Sequence, residues 1–247
     1  MTATLPPGKL SSKSIAPRDR LIYALDHPSH REALAMVDRL GDAVSFYKLG
    51  LELFMAGDYF TLVQQLVKLD KQVFVDLKFF DVPETVGAAV RQLKDRSATF
   101  VTVHGNGQMM QQAVLAKGDV KVLAVTVLTS LDRSDLDDMG FQVDVKTLVL
   151  SRARRALEIG CDGVISSGLE AEALRDELGG RFLIVSPGIR PVDNVVVDDH
   201  QKRVVDVGQA FQSGADYIVV GRPIRQASDP AAAAEDIQRT IAELFNS

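Results

Sequence analysis

The sequence predicts an α/β fold, an eight-stranded (β/α)8 barrel of the TIM type. Eight short runs rich in β-branched residues alternate along the chain with segments whose apolar residues recur at helical spacing. The strand runs are nearly continuous in apolar residues, which is typical of parallel strands buried on both faces. The chain has 247 residues, close to the usual length of one such barrel.

The predicted strands follow one another along a chain without any break in composition. Helical patterns such as HREALAMVDRL and YFTLVQQLVKL separate them. An open doubly wound sheet is the weaker alternative, because it would place a glycine-rich GxGxxG after the first strand, where the sequence reads ALDHPSH. We expect a flexible tail over residues 1–20 and a single catalytic domain over residues 21–247. The predicted strands are residues 21–26, 45–50, 73–78, 99–105, 122–128, 163–168, 182–188 and 217–221.

The composition argues against several classes of function. A net charge of −5 disfavours nucleic acid or a membrane surface as a partner, since both usually require a basic patch. The single cysteine, Cys161, excludes an internal disulfide and a cysteine-based zinc site, and we interpret it as buried and inert. The histidines lack metal-ligand spacing, and no apolar run is long enough to cross a membrane. The first 20 residues show no signal-peptide pattern, so we expect a cytoplasmic protein.

Polar residues stand at the carboxyl end of almost every predicted strand. In a parallel barrel these ends share one face, the face on which barrel enzymes keep their active sites. Each residue alone would also fit a strand end near solvent, but the complete ring favours a site. Its members are Asp26, Lys48, Asp76, Lys78, His104, Thr129, Ser166, Ser167, Ser186 and Arg222.

The stretch VDLKFFDVP carries the densest group of charges. Asp76 and Lys78 are two residues apart, so on a regular strand they face the same way. Lys48 ends the adjacent strand and can bridge the carboxylates. Asp81 lies past the strand end and either folds back or reaches into a neighbouring subunit. A structural ion network is the alternative, but buried ion pairs stabilise poorly because desolvation offsets their attraction, so we favour a catalytic cluster.

A phosphate site is predicted at the ends of strands seven and eight. Barrels often hold phosphate there with backbone N–H groups and a cation. Gly221 allows close approach of the backbone, and Arg222 can grip phosphate with two hydrogen bonds. The aperiodic stretch 188–203 has the length of a lid, and its Gln201 could add an amide.

These motifs resemble the orotidine 5′-phosphate decarboxylase family in its compact bacterial form. The resemblance rests on ALD, YKLG, DLKFFDVPETV, TVLTS, SPGIRP and GRPI, and it extends from Leu21 to the end of the chain. It implies decarboxylation of orotidine 5′-monophosphate to UMP, the last step of de novo pyrimidine synthesis. It also implies a homodimer that uses neither a metal nor an organic cofactor.

The resemblance further implies a role for each polar residue. Lys78 matches the proton donor, Asp76 the carboxylate that faces the substrate's carboxylate, and Lys48 the lysine of the charge network. Asp81 matches an aspartate that crosses to the partner's site. The implied substrate contacts are Asp26 at the ribose hydroxyls, Thr129 at the pyrimidine edge, and Gln201, Gly221 and Arg222, with Arg190 nearby, at the phosphate.

Two other functions fit part of the sequence. A metal-dependent sugar-phosphate enzyme could share the D-x-K-x-x-D strand, with Glu52 and Asp76 as Mg²⁺ ligands and His104 as acid or base. VPETV and SPGIRP argue against it, and we interpret His104 as a structural hydrogen-bonding residue. A barrel that only binds a nucleotide is the second, and the charged quartet argues against that.

Overall fold

The computed structural model describes residues 9–190 and 205–246 of the chain. Eight parallel strands form a closed barrel in the order of the sequence, with the last strand paired to the first. Helices connect the strands on the outside. This architecture confirms the predicted fold class.

All eight predicted strands are present, and several are shorter at their carboxyl ends than predicted. The residues left outside the strands at these ends are mostly glycines and polar residues, and nearly all of them lie in the loops that follow. The strands are β1 Leu21–Ala24, β2 Phe46–Leu49, β3 Gln72–Phe79, β4 Phe100–His104, β5 Lys121–Val125, β6 Gly163–Ile165, β7 Leu183–Pro187 and β8 Tyr217–Val220.

Most of the longer helices begin at a polar residue whose side chain accepts a hydrogen bond from the first turn. Ser29, Asn106, Asp144 and Asp229 act in this way and satisfy N–H groups that would otherwise lack a partner. The helices are α1 His30–Leu40, α2 Leu51–Met55, α3 Tyr59–Lys68, α4 Pro83–Arg91, α5 Gly107–Ala116, α6 Arg133–Asp138, α7 Val145–Ile159, α8 Gly168–Leu178, α9 Val207–Gln212, α10 Arg222–Arg225 and α11 Pro230–Phe245.

Side chains that alternate along the strands build two separate cores. One set packs outward against the helices, and the other fills the barrel interior. Inside, Phe46, Phe100 and Tyr217 stack with ring centroids 5.1–5.9 Å apart. These three rings form what we call the aromatic floor. Lys48 and Thr102 follow Phe46 and Phe100 by two residues, so the same alternation places polar groups above the floor.

Residues 9–20, predicted as part of a flexible tail, contact the amino-terminal end of the barrel. The Lys13 ammonium lies 3.0 Å from a carboxylate oxygen of Asp216, which is fully buried just before β8. Arg20 donates to the Asp216 carbonyl at 3.1 Å, and its guanidinium lies 3.7 Å from the centroid of the Phe245 ring. Residues 1–8 lie outside the described residues, and the flexibility of the tail stays a prediction.

Two exclusions made from the sequence have structural counterparts. Cys161 is a buried free thiol, and burial raises its pKa to about 12, so it stays protonated and unreactive at neutral pH. Within residues 9–190 and 205–246, no helix combines the length and apolar character required to cross a membrane.

Gly163 provides a test of barrel packing. A Cβ atom there would lie 2.6 Å from Leu183 Cβ and closer still to the Leu183 carbonyl oxygen. We expect Gly163→Ala to lower the free energy of unfolding by about 1–3 kcal/mol, because the β6–β7 pair must shift to admit the methyl group. Gly180→Ala is the matched control, since no atom lies within 4 Å of its added Cβ. Urea unfolding measures both, and equal stabilities would contradict this packing.

Candidate active site

A cavity of about 250 Å³ opens at the carboxyl end of the barrel, above the interior core. Its walls contain most of the site residues predicted from the sequence. Asp81 does not line it, and Gln201 lies outside the described residues. The predicted residues that line it are Asp26, Lys48, Asp76, Lys78, Thr129, Arg190, Gly221 and Arg222.

Four of these residues form a line of charges of alternating sign. The Lys78 ammonium lies 2.9 Å from Asp76 Oδ2, and the Lys48 ammonium lies 3.6 Å from the same oxygen. Lys48 also lies 3.2 Å from Asp26 Oδ1. We call Asp26, Lys48, Asp76 and Lys78 the charge line. The predicted grouping of Lys48, Asp76 and Lys78 is therefore present in the structure, with Asp26 rather than Asp81 as the fourth member.

The inner members of the charge line are both held in their ionised forms. Burial opposes the charge on Asp76, but Lys48 and Lys78 outweigh it and hold the pKa of this carboxyl below its ordinary value. Burial likewise opposes the charge on Lys48, and the carboxylates of Asp76 and Asp26 raise its pKa despite it. A buried carboxylate thus stays ionised between two lysines.

The strand that carries Asp76 and Lys78 is not regular at these residues. Val75 pairs with Val101 and Phe79 with Val103, so β3 advances by four residues over the span in which β4 advances by two. This irregularity is a β-bulge. Lys78 has a φ of 49°, in the left-handed region. Asp76 and Lys78 face the same cavity and their charged groups are in contact, as predicted, but the strand that carries them is bulged and not regular.

Thr102 joins the two charged residues and was missed by the sequence analysis. It is fully buried on β4. Its hydroxyl donates to Asp76 Oδ1 at 2.9 Å and accepts from the backbone N–H of Lys78 at 3.0 Å. The available signal was a threonine two residues after the inward-facing Phe100, which places a hydroxyl inside the barrel.

Asp81 lies outside the cavity of its own chain. It is exposed, and its carboxylate accepts a hydrogen bond from the N–H of Val82 at 2.6 Å. Its neighbours Phe80 and Val82 are 64% and 59% exposed, unusually high values for apolar side chains. Of the two predicted placements, folding back onto Lys78 is therefore not observed.

Two arginines concentrate positive charge on the side of the cavity formed by β7 and β8. Arg190 and Arg222 both line it. Burial and the neighbouring guanidinium of Arg222 lower the pKa of Arg190 below its ordinary value. A Cβ atom on Gly221 would lie 3.2 Å from Ala24 Cβ, so a larger residue would crowd this wall. Two neighbouring guanidinium groups repel each other, and an anion bound between them would relieve this repulsion. Because Gly221 beside them has no side chain, an anion such as phosphate can also approach the backbone closely.

Glu52 and His104, which the metal-dependent alternative required, do not line this cavity. Glu52 is exposed on α2. The His104 ring packs against Phe80 with centroids 4.7 Å apart, and burial together with Arg152 lowers its pKa. It faces a neighbouring cavity of about 320 Å³. In the part of the chain that the structure describes, no three histidine, cysteine or acidic side chains cluster as metal ligands would.

Comparisons with known proteins agree on one family. The profile described as "Orotidine 5'-phosphate decarboxylase / HUMPS family" matches residues 19–237. The orotidine 5′-phosphate decarboxylase of Methylococcus capsulatus is 63% identical over 239 residues, which cover 97% of this chain and 98% of that protein. That of Xanthomonas euvesicatoria is 55% identical over 92% of this chain and 93% of the relative. The crystal structure of the enzyme from Lactobacillus acidophilus superposes with a TM-score of 0.80 at 34% identity, covering 90% and 99% of the two chains.

The lowered pKa of Asp76 predicts a specific response of stability to acid. Its ionised form stabilises the fold above the ordinary carboxyl pKa of 3.8, and that contribution is lost as the pH falls through the lower folded value. Wild-type stability should therefore fall more steeply than that of Asp76→Asn below about pH 4. Urea unfolding midpoints at several pH values measure the two slopes.

Asp119→Asn is the control for this experiment, because Asp119 is exposed and lies outside the charge line. It should keep the wild-type dependence on pH. Parallel curves for wild type and Asp76→Asn would contradict the assignment of a stabilising buried carboxylate.

Proposed function

Because this chain belongs to the orotidine 5′-phosphate decarboxylase family, we propose that its charge line carries out that family's reaction. The chain is a decarboxylase that converts orotidine 5′-monophosphate to UMP and CO₂ in pyrimidine biosynthesis. The observation that supports the residue assignment is the buried carboxylate of Asp76 between two lysines, in a cavity that two arginines also line.

The chemistry requires fixed charges. Loss of CO₂ from C6 of the pyrimidine leaves an electron pair in an in-plane sp² orbital, which the ring π system cannot absorb directly. Catalysis must then come from charges already placed where the carbanion forms. An ammonium about 4 Å from that carbon contributes on the order of 4 kcal/mol at an effective dielectric of about 20.

Lys78 supplies this charge and the proton that replaces CO₂. Its ammonium lines the cavity and lies 2.9 Å from the Asp76 carboxylate. Asp76 also faces the substrate's carboxylate, and the repulsion between them is relieved as CO₂ leaves. Lys48 also contacts the Asp76 carboxylate, so this one negative charge is shared between two ammonium groups. A net positive charge therefore remains beside the reacting carbon.

The remaining contacts hold the nucleotide. Arg190 and Arg222 bind the phosphate beside Gly221, and Gln201 adds an amide to the same group. Asp26 binds the ribose hydroxyls, which its 44% exposed side chain can reach. Thr129, in the turn after β5, binds the pyrimidine edge. The phosphate lies far from C6, but the free energy of binding it offsets the cost of aligning the substrate and excluding water from the charge line.

The active unit is a homodimer in which Asp81 enters the partner's cavity. Apolar side chains are exposed in two segments that follow strand ends, at Phe80 and Val82 beside Asp81 and at Leu51, Phe54 and Met55 on α2. Large apolar side chains left exposed in this way favour an interface. In a two-fold dimer each chain would give its Asp81 and receive the partner's. Independence from cofactors and a cytoplasmic location stay predictions.

Lys78→Ala should reduce turnover by about 1,000-fold, the equivalent of the charge term estimated above. The fall in absorbance of orotidine monophosphate, recorded with EDTA present, measures the rate and tests metal dependence at the same time. Lys146→Ala, at an exposed lysine of α7, is the control and should match wild type. A rate near normal in Lys78→Ala with an intact fold would remove Lys78 from the mechanism.

Mixing two inactive variants tests the dimer. A dimer of one Lys78→Ala chain and one Asp81→Ala chain contains one complete site, so random subunit exchange should restore about a quarter of wild-type activity. The control mixes Lys78→Ala with Asp76→Ala, whose residues belong to the same cavity, and should restore none. Failure of the first mixture under verified subunit exchange would place Asp81 outside the partner's site.

A further inference from the structure

We propose that Thr102 is a positioning residue for the decarboxylation, because its single hydroxyl sets both the Asp76 carboxylate and the backbone of Lys78. This inference rests on the proposed roles of Asp76 and Lys78. Thr102 does not line the substrate cavity, so it acts through the two charged residues and not on the substrate.

The hydrogen bonds of Thr102 are directional and complementary. The hydroxyl has one proton, which it gives to Asp76 Oδ1 at 2.9 Å, and its oxygen accepts from the Lys78 N–H at 3.0 Å. The other carboxylate oxygen, Oδ2, faces Lys78 and Lys48. Each oxygen of Asp76 therefore has its own partner, and the plane of the carboxylate is determined.

The same hydroxyl stabilises the bulge of β3. The bulge removes Lys78 from the regular ladder, and its left-handed φ of 49° is unfavourable for a residue with a side chain. Such a conformation persists only where the surroundings hold it. The Thr102 oxygen takes the place of the missing ladder acceptor for the Lys78 N–H. Without it, a partly buried backbone donor would lose its partner at the residue that delivers the proton.

A second buried threonine shows what a purely structural hydroxyl does in this barrel. Thr126, just after β5, is also fully buried, and its hydroxyl donates to the carbonyl of Ile165 at 3.0 Å. Its hydroxyl donates to a backbone carbonyl and not to a carboxylate of the charge line. Thr102 and Thr126 are thus a matched pair, equal in size and burial and different in what they hold.

The test compares Thr102→Val, Thr102→Ser and Thr126→Val in the full-length enzyme. Thr102→Val keeps the shape and removes the hydroxyl, so kcat should fall about 10- to 100-fold while KM for orotidine monophosphate changes by less than about 3-fold. Thr102→Ser restores the hydroxyl and should recover kcat to within about 3-fold. Thr126→Val should keep wild-type kcat. Amide hydrogen exchange at Lys78 should accelerate in Thr102→Val and not in Thr126→Val.

Three results would overturn the proposal: wild-type kcat in Thr102→Val, a loss in Thr102→Ser as large as in Thr102→Val, or an equal loss in Thr126→Val. If Thr102→Val does not fold, Thr102→Cys takes its place, since a thiol of similar size is a weak donor, and full kcat there also overturns the proposal. Normal turnover in Lys78→Ala would instead refute the proposed function. A loss in Lys78→Ala together with an unaffected Thr102→Val refutes only the role of Thr102.

Discussion

The Asp76 carboxylate, buried between two ammonium groups, is the interaction on which the site depends. Taking a carboxylate out of water is costly, and here two lysines and one threonine hydroxyl offset that cost. The aromatic floor beneath it excludes water from the barrel interior, so the same apolar packing that closes the fold also strengthens the charges above it. The attraction between two opposite unit charges 4 Å apart is worth about 1 kcal/mol in water and about four times as much at the lower effective dielectric of a partly buried site.

A second buried carboxylate at the opposite end of the barrel shows that a charge cluster alone does not identify an active site. Asp216 is fully buried and contacts Lys13 at 3.0 Å and Arg175 at 2.7 Å, with the N–H of Ile184 as a further donor. Asp216 lines neither of the two cavities described above. Asp76 differs because its lysine Lys78 also faces open space. The functional assignment therefore depends on the cavity as much as on the charges.

Nearly continuous apolar runs alternating with helical patterns made the barrel predictable from the sequence, and the alignment of parallel strand ends brought distant residues such as Asp26, Lys48 and Arg222 to one face. Thr102 escaped because an uncharged side chain on a buried strand stands out only when the register with β3 is known. The bulge escaped for the same reason, since one strand shows no sign of how many residues its neighbour uses. The contact between Lys13 and Asp216 joins residues about 200 apart and leaves no local pattern.

The proposed entry of Asp81 into a partner's cavity would link assembly to chemistry. Among residues 9–190 and 205–246 of one chain, Lys78 has a single carboxylate partner, and its side chain is still 36% exposed. A flexible, partly solvated ammonium is a weak electrostatic catalyst, because water screens it and several rotamers compete. If a partner's Asp81 enters the cavity, the Lys78 ammonium gains a second carboxylate partner and is shielded from water at the same time. The exposed Phe80 and Val82 beside Asp81 become buried in the same step. Dimerisation would then complete the low-dielectric site, which gives a physical reason for a chain with a whole barrel to depend on a second copy of itself.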